Sequence, residues 1–389
     1  MKSKRVESVD LLRGIIMVIM ALDHTRDFFH IGAFAGDPLD PATTTPALYA
    51  TRWITHFCAP IFVFLAGTSA WFQSRRKTIK ELSGFLLSRG LWIIIVEVVV
   101  MTFILTANYR YDVFILQVLW AIGISMVILG FMVRLPFKAI LITGLVIVVG
   151  HNLLDFAEAG RSSVPFWWGL LHQQTFIPIS QSRGIFVFYP FLPWTGLMLL
   201  GYCFGSVFTN YDSQARNKML LRAGLGLIAS FFILRAVNIY GDPRPWTTQP
   251  DWVKTVMSFM NVAKYPPSLL YICATIGPAM IFLALAENVR GKLASFFLVI
   301  GRVPMFYYIV HFFILSVIGF IVYFLKGHTW EEGMSREGPF KFIVPGEGFN
   351  LLTVYMIWIG LVLFILYPLC RWYDKYKSGH PEKKWLSYL

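Results

Sequence analysis

Arg13 and His24 stand eleven residues apart inside the first hydrophobic segment, in Arg13-Gly14-IIMVIMAL-Asp23-His24. Ionisable groups at bilayer depth are expensive and mark functional sites by default. Eleven residues at ~100° each make three turns plus roughly 20°, so both side chains share one helix face. A rise of ~1.5 Å per residue separates them by about 16 Å along the axis. A cation near one membrane face, in register with a titratable imidazole near the other, suits a helix that handles an elongated anionic ligand.

The segment ends in Asp23-His24-Thr25-Arg26-Asp27-Phe28-Phe29-His30, where Asp23, Arg26, Asp27 and His30 form a polar stripe at i, i+3, i+4 and i+7. For Arg26, Asp27 and His30 the simpler alternative is a helix end emerging into water. His24 is the general-base candidate, because imidazole titrates near neutrality. Asp27, Asp23 or a group on another helix could orient its ring. His56 opens the second apolar segment at a depth similar to His24, just before Pro60. Its alternative is an imidazole bonded to a helix backbone. His311 follows Arg302 by nine residues, about 13 Å, a second cation-to-histidine pair spanning a similar depth. Here too the alternative is a satisfied buried histidine. Glu97, Gln117, His151 and Arg235 are further polar groups in apolar stretches, and Glu97 and Arg235 could form an ion pair.

These groups must be held by membrane helices. The chain is 57% hydrophobic and only 14% charged, which suits a polytopic membrane protein, not a soluble domain. The net charge of +13 does not point to nucleic acid, because the cations fall in short loops on one side of the membrane. Cys58, Cys203, Cys273 and Cys370 lack metal-ligand or redox-pair spacing and are expected to be packing residues. Met1-Lys2-Ser3-Lys4-Arg5 resembles the basic start of a signal peptide, but Asp10 and Arg13 interrupt the apolar run, so an uncleaved first helix is expected.

Apolar stretches of spanning length fall at about 8–30, 51–73, 91–108, 113–132, 138–156, 186–209, 219–239, 266–287, 301–326 and 350–370. The expected fold is an all-α polytopic membrane bundle of about ten (10–12) transmembrane helices, forming a single domain over residues 1–389. The count depends on whether Trp167–Gln174 and Lys292–Leu298 are re-entrant or amphipathic. With the N-terminus inside, the inner segments hold 21 Lys or Arg against nine in the outer loops, so both termini are expected in the cytoplasm. The outer loops carry Trp167, Trp168, His172, Trp246, Trp252 and Trp330, which suit an interfacial aromatic belt or stacking on sugar rings. No phosphate loop, metal-ligand cluster or nucleophilic serine motif stands out, and no metal is expected.

Ser8-Val9-Asp10-Leu11-Leu12-Arg13-Gly14 followed by Met20-Ala21-Leu22-Asp23-His24-Thr25-Arg26-Asp27-Phe28-Phe29 resembles the bacterial membrane proteins related to heparan-α-glucosaminide N-acetyltransferase. The likeness continues at Ala59-Pro60-Ile61-Phe62-Val63-Phe64-Leu65-Ala66-Gly67, at Tyr189-Pro190-Phe191-Leu192-Pro193-Trp194-Thr195-Gly196 and at Pro304-Met305-Phe306-Tyr307-Tyr308 with His311. The Arg13-to-His24 spacing also resembles the Arg-x10-His pattern of the third acyltransferase family, which O-acylates bacterial surface glycans. There the residues matching Arg13 and His24 are the functional pair.

The resemblance implies a membrane-bound, acetyl-CoA-dependent acyltransferase in the cytoplasmic (inner) membrane of a bacterium. It would pass an acetyl group from cytoplasmic acetyl-CoA to an extracytoplasmic glycan or amino-sugar acceptor, as a monomer or homodimer. The pantetheine arm, on the order of 15–20 Å, matches the Arg13-to-His24 distance. Arg13 and Arg302, with Arg26 and Gln117 as further candidates, would hold the donor. His24, Asp27, Asp23, His56, His311 and His30 form the catalytic set, acting by base catalysis or through a transient acetyl-histidine. The sequence departs from the lysosomal enzyme in two respects. No large luminal N-terminal domain is expected, and where that enzyme has its catalytic histidine in the first external loop, this chain offers only His30, at a different spacing. The competing reading is a proton-coupled small-solute transporter, to which membrane-embedded Asp, His and Arg are equally suited.

Overall fold

The computed structural model describes residues 6–160, 164–181, 183–336 and 338–387; the basic stretch Met1–Arg5 and Arg161, both counted above, lie outside them. The chain folds as helices α1 (Glu7–Phe29), α2 (Pro46–Ile54), α3 (Cys58–Ser74), α4 (Ile79–Ile95), α5 (Thr102–Thr106), α6 (Val118–Met132), α7 (Phe137–Gly150), α8 (Leu153–Glu158), α9 (Phe166–Leu171) and α10 (Phe191–Phe204). It continues as α11 (Val207–Asn210), α12 (Ser213–Val237), α13 (Trp252–Met260), α14 (Leu269–Leu285), α15 (Lys292–Gly301), α16 (Pro304–Leu325), α17 (Trp330–Ser335), α18 (Leu351–Gly360) and α19 (Tyr367–Gly379). Several join into longer rods. A 3₁₀ turn at Thr55–Phe57 links α2 to α3, and π-helical turns at Val96–Met101 and Leu361–Leu366 link α4 to α5 and α18 to α19.

Among the described residues, seven rods are long and apolar enough to cross a membrane: Pro46–Ser74, Ile79–Thr106, Phe191–Asn210, Ser213–Val237, Leu269–Asn288, Pro304–Leu325 and Leu351–Gly379. The protein is an all-α polytopic membrane bundle. α1 is long enough but carries Asp10, Arg13, Asp23, Arg26 and Asp27, so composition alone does not mark it as a span. α6, α7 and α15 are apolar but shorter.

Two expected spans begin differently from the sequence reading. Residues 113–116 and 184–187 are not helical. They form β1 (Val113–Leu116) and β3 (Gly184–Val187), which with β2 (Thr175–Pro178) make a small sheet in the order β1-β3-β2. β1 runs parallel to β3 and β2 antiparallel to it. Short apolar runs rich in Val, Ile and Phe satisfy a strand as readily as a buried helix, which is why hydropathy merged them with α6 and α10. The expected span 91–108 is the second half of a rod that starts at Ile79, where Thr78 and Glu81 form a capping box. The expected span 301–326 is α16, which Pro304 opens as its first residue.

α1 packs against α3, α15, α16 and α18, while α10 packs against α3, α6 and α7. α4 lies on α6, and α12 on α14. Without a hydrophobic drive between helices in lipid, small residues set the close approaches. A Cβ on Gly14 would lie 1.9 Å from the Phe297 carbonyl oxygen, and one on Gly301 would lie 1.9 Å from that of Asp10. α1 and α15 therefore touch backbone to backbone beside Arg13, and this contact fixes that arginine's position.

All four cysteines are free thiols and buried, as expected of packing residues. Glu97 and Arg235 do not pair. The Arg235 guanidinium donates to the carbonyls of Phe259 (2.8 Å), Arg244 (2.7 Å), Ser258 (3.1 Å) and Asn261 (2.7 Å), with Asp242 at 3.7 Å. It serves as the anchor of the loop between α12 and α13. Trp168 and Trp246 are also structural, donating to Glu158 and to the Arg235 carbonyl, whereas Trp167 and Trp252 are largely exposed.

Candidate active site

A cavity of about 580 Å³ lies among α1, α3, α4, α6 and α16. Its body is apolar, lined by side chains such as Met17, Phe62, Phe85, Leu119 and Met305. Five cations stand on its wall: Arg13, Lys77, Arg89, Arg302 and Lys377. Arg13 and Arg302 belong to the expected donor-binding set. Lys77, Arg89 and Lys377 were visible in the sequence only as charges on the inner side. The signal that could have singled out Arg89 is its place on the Phe85–Arg89–Ile93 stripe, one residue per turn on the lining face of α4.

Arg13 is fixed by three helices. Its guanidinium donates to Asp10 Oδ1 on α1 at 2.9 Å, to Ser69 Oγ on α3 at 3.1 Å and to the Gly301 carbonyl of α15 at 3.3 Å. Arg302, at the end of α15, lies 3.6 Å from Asp374 on α19. The two arginines that the sequence placed at a common depth thus line one cavity.

The two histidines predicted at the other end of those helices also meet. His24 Nδ1 and His311 Nε2 are 2.7 Å apart. Tyr307 supplies a carbonyl 3.0 Å from His311 Nδ1. A carbonyl can only accept, so in the neutral pair the His311 proton sits on Nδ1. His311 Nε2 then accepts from His24 Nδ1–H, which leaves the lone pair of His24 on Nε2. Phe312 stacks on the His24 ring at 4.1 Å and restrains it further. His311 is fully buried, whereas His24 keeps some exposure. Tyr308, one turn before His311, lines the cavity and lies 5.6 Å from the His311 ring.

The carboxylates expected to orient His24 are engaged elsewhere. Asp23 accepts from Arg26 at 3.0 Å and faces Arg52 at 3.5 Å, and Asp27 accepts from Arg26 at 2.6 Å. Arg26 is buried in this network and does not line the cavity. The group that holds His24 is an imidazole, not a carboxylate. His56 is buried near Tyr271, whose hydroxyl donates to the His56 carbonyl at 2.7 Å. Its own Nδ1 lies 3.4 Å from the Arg52 carbonyl, and its Nε2 has no partner among the described residues. His30 caps the end of α1, where its Nδ1 accepts from Gly32 N–H at 3.1 Å. Gln117 precedes α6, and its backbone N–H donates to Glu97 Oε1 at 2.6 Å.

A separate polar cluster lies away from the cavity. Asp155, Glu158 and His172 bring ligand-type atoms within 4.8 Å of one another, a grouping the sequence reading did not anticipate. Glu158 Oε1 accepts from Trp168 Nε1 at 2.6 Å and from His172 Nδ1 at 2.8 Å, and His172 Nε2 contacts His151 Nδ1 at 3.1 Å. These bonds tie α8 to α9 and to the end of α7.

The family model for "Heparan-alpha-glucosaminide N-acetyltransferase, catalytic" matches residues 5–235. That span covers more than half of the chain, from α1 through most of α12, and includes Arg13, His24, His56, Glu97 and Gln117. Arg302 and His311 lie beyond it. No curated protein matches the chain. A membrane helix bundle, a cation-lined cavity and a buried imidazole pair accompany that match, and the chain belongs to the heparan-α-glucosaminide N-acetyltransferase catalytic family of membrane acyltransferases.

Proposed function

We propose that this protein transfers an acetyl group from acetyl-CoA, bound from the cytoplasmic face, to an amine or hydroxyl of a sugar on the opposite side of the membrane. The observation that carries the reading is the placement of five cations on one cavity, with the His24–His311 pair beyond it on the same helices. CoA is a polyanion with an extended arm. In this reading Arg13 and Arg302 take its phosphates at the basic end, helped by Lys77, Arg89 and Lys377. The arm runs through the apolar body of the cavity towards Tyr308. Both termini and the basic end face the cytoplasm, consistent with the excess of cations in the inner segments.

In the chemical step, His24 Nε2 removes a proton from the acceptor amine or hydroxyl. The acceptor N or O bonds to the thioester carbonyl carbon and the C–S bond breaks. CoA leaves as a thiolate, which takes the proton from the His24 imidazolium. His311 positions His24 by accepting from its Nδ1–H. Asp23, Asp27, Arg26 and Arg52 hold the outer end of α1 to α2, and His30 closes that end.

Labelled acetyl-CoA supplied to the basic face of proteoliposomes tests this reading. Label should appear on an amino-sugar such as glucosamine added at the opposite face, and His24→Ala should abolish it. Undiminished transfer by His24→Ala would remove that histidine from the mechanism. Proton-dependent solute flux without any acyl donor would instead support a transporter.

A further inference from the structure

The stripes that line the cavity end in polar residues on three different helices. On α1 the stripe runs Arg13, Met17 and on to His24; on α16 it runs Pro304, Met305, Tyr308 and on to His311. On α4 it runs Phe85, Arg89, Ile93, and the next residue at that four-residue interval is Glu97. Glu97 falls in the π-helical turn Val96–Met101, a local widening that often marks a functional position. It is fully buried. Its Oε1 accepts from the N–H of Gln117, the residue just before the cavity-lining Val118, and its Oε2 has no partner among the described residues. The hydroxyl of Tyr308, also buried, has no partner among them either. Buried polar atoms in a bundle are normally satisfied, so these two orphans, Tyr308 on the cavity wall and Glu97 one helical interval beyond the wall residue Ile93, need a reason.

Depth supplies that reason. Arg89 to Glu97 is eight residues, about 12 Å along the helix, and Pro304, the first residue of α16, to Tyr308 is four residues, about 6 Å. If the phosphates of CoA sit at the arginines, Glu97 and Tyr308, ~6–12 Å deeper along their helices, stand part-way along the pantetheine arm, which carries two amides. An amide has one N–H donor and one carbonyl acceptor. A carboxylate oxygen matches the first and a phenolic O–H matches the second.

We propose that Glu97 and Tyr308 clamp a pantetheine amide, with Glu97 Oε2 accepting its N–H and Tyr308 O–H donating to its carbonyl. The clamp would stop the arm sliding in an otherwise apolar channel and set the thioester at the His24–His311 pair. This inference rests on the acetyl-CoA reading above and extends it to two residues acting as positioning groups.

The test is calorimetric binding of CoA and of adenosine 3′,5′-bisphosphate, which keeps two of the three phosphates and lacks the arm, to the full-length protein. Wild type is compared with Glu97→Gln and Tyr308→Phe. Glu97→Gln replaces one acceptor oxygen by a donor NH₂, and Tyr308→Phe removes the donor with little change of shape. Each variant should weaken CoA at least fivefold and leave the bisphosphate within twofold of wild type. Equal weakening of both ligands would mean a general structural role and would overturn the proposal. CoA affinity unchanged in both variants would overturn it as well, while wild-type CoA binding kept the donor reading intact. A folded wild type that binds neither ligand would overturn the donor reading and the clamp together.

Discussion

Replacing His311 by Phe isolates the task assigned to the imidazole pair. Phe keeps a ring against Tyr307, Tyr308 and Phe312 and removes the acceptor 2.7 Å from His24 Nδ1, together with the Nδ1–H donor to the Tyr307 carbonyl. A buried donor left without a partner costs about 1–3 kcal/mol. His24 can avoid part of that cost by moving its proton to Nε2, but that tautomer has no base facing the acceptor. Either route should lower kcat by about 10- to 100-fold, since ~1.4 kcal/mol is a factor of ten. Donor binding should change little, because the cations that hold CoA are on the cavity wall. His24→Ala should cost more, about 10²–10⁴-fold, the usual worth of a positioned general base. Steady-state assays with labelled acetyl-CoA across a range of donor concentrations separate kcat from KM. Unchanged kcat in a well-folded His311→Phe protein would refute the positioning role. A raised donor KM at constant kcat would reassign His311 to binding.

Three other outcomes follow from the same geometry. Gly14→Ala places a methyl on the Phe297 carbonyl oxygen, so α1 and α15 must part; overpacking typically costs ~1–3 kcal/mol, and both the thermal midpoint and CoA affinity should fall, whereas an unchanged midpoint would mean the contact yields freely. Asp23→Asn strips the buried Arg26 and Arg52 of a shared carboxylate, and breaking a buried pair costs ~3–5 kcal/mol; Asp27 still holds Arg26, so a loss near the low end is expected in thermal unfolding, and equal stability to wild type would contradict the network. Lys77→Ala with Lys377→Ala should weaken CoA binding only several-fold, at ~0.2–1 kcal/mol for each partly solvated pair, but should visibly flatten its salt dependence; a salt dependence identical to wild type would exclude both lysines.

The legible part of the site was whatever a single helix could encode. The register of Arg13 with His24 follows from helical periodicity because both lie on the continuous helix α1, whereas Arg302 ends α15 and His311 lies on α16. Their convergence was not legible. His24 and His311 are 287 residues apart in sequence, and no local pattern tells two amphipathic stripes that they share a partner. Reading Asp23 and Asp27 as partners of His24 failed for the same reason, since Arg52 arrives from another helix to claim Asp23. Glu97 and Arg235 looked like an ion pair because each is costly alone, yet Arg235 is satisfied mainly by backbone carbonyls and Glu97 takes a single backbone N–H on Oε1. The helix bundle was read correctly in kind. β1 and β3 were absorbed into neighbouring spans because hydropathy responds to burial and not to backbone conformation.

The central claim is that the cation-lined cavity is the acetyl-CoA site, and calorimetry on the detergent-purified protein addresses it directly. Arg13 is held by Asp10, Ser69 and Gly301 on the cavity wall, and a charge-assisted hydrogen bond is worth roughly 1.5–3 kcal/mol. Acetyl-CoA should bind wild type in the micromolar range, and Arg13→Ala should weaken it about tenfold or more, ~1.4 kcal/mol. Absence of binding to well-folded wild type, or undiminished affinity in Arg13→Ala, would contradict the account.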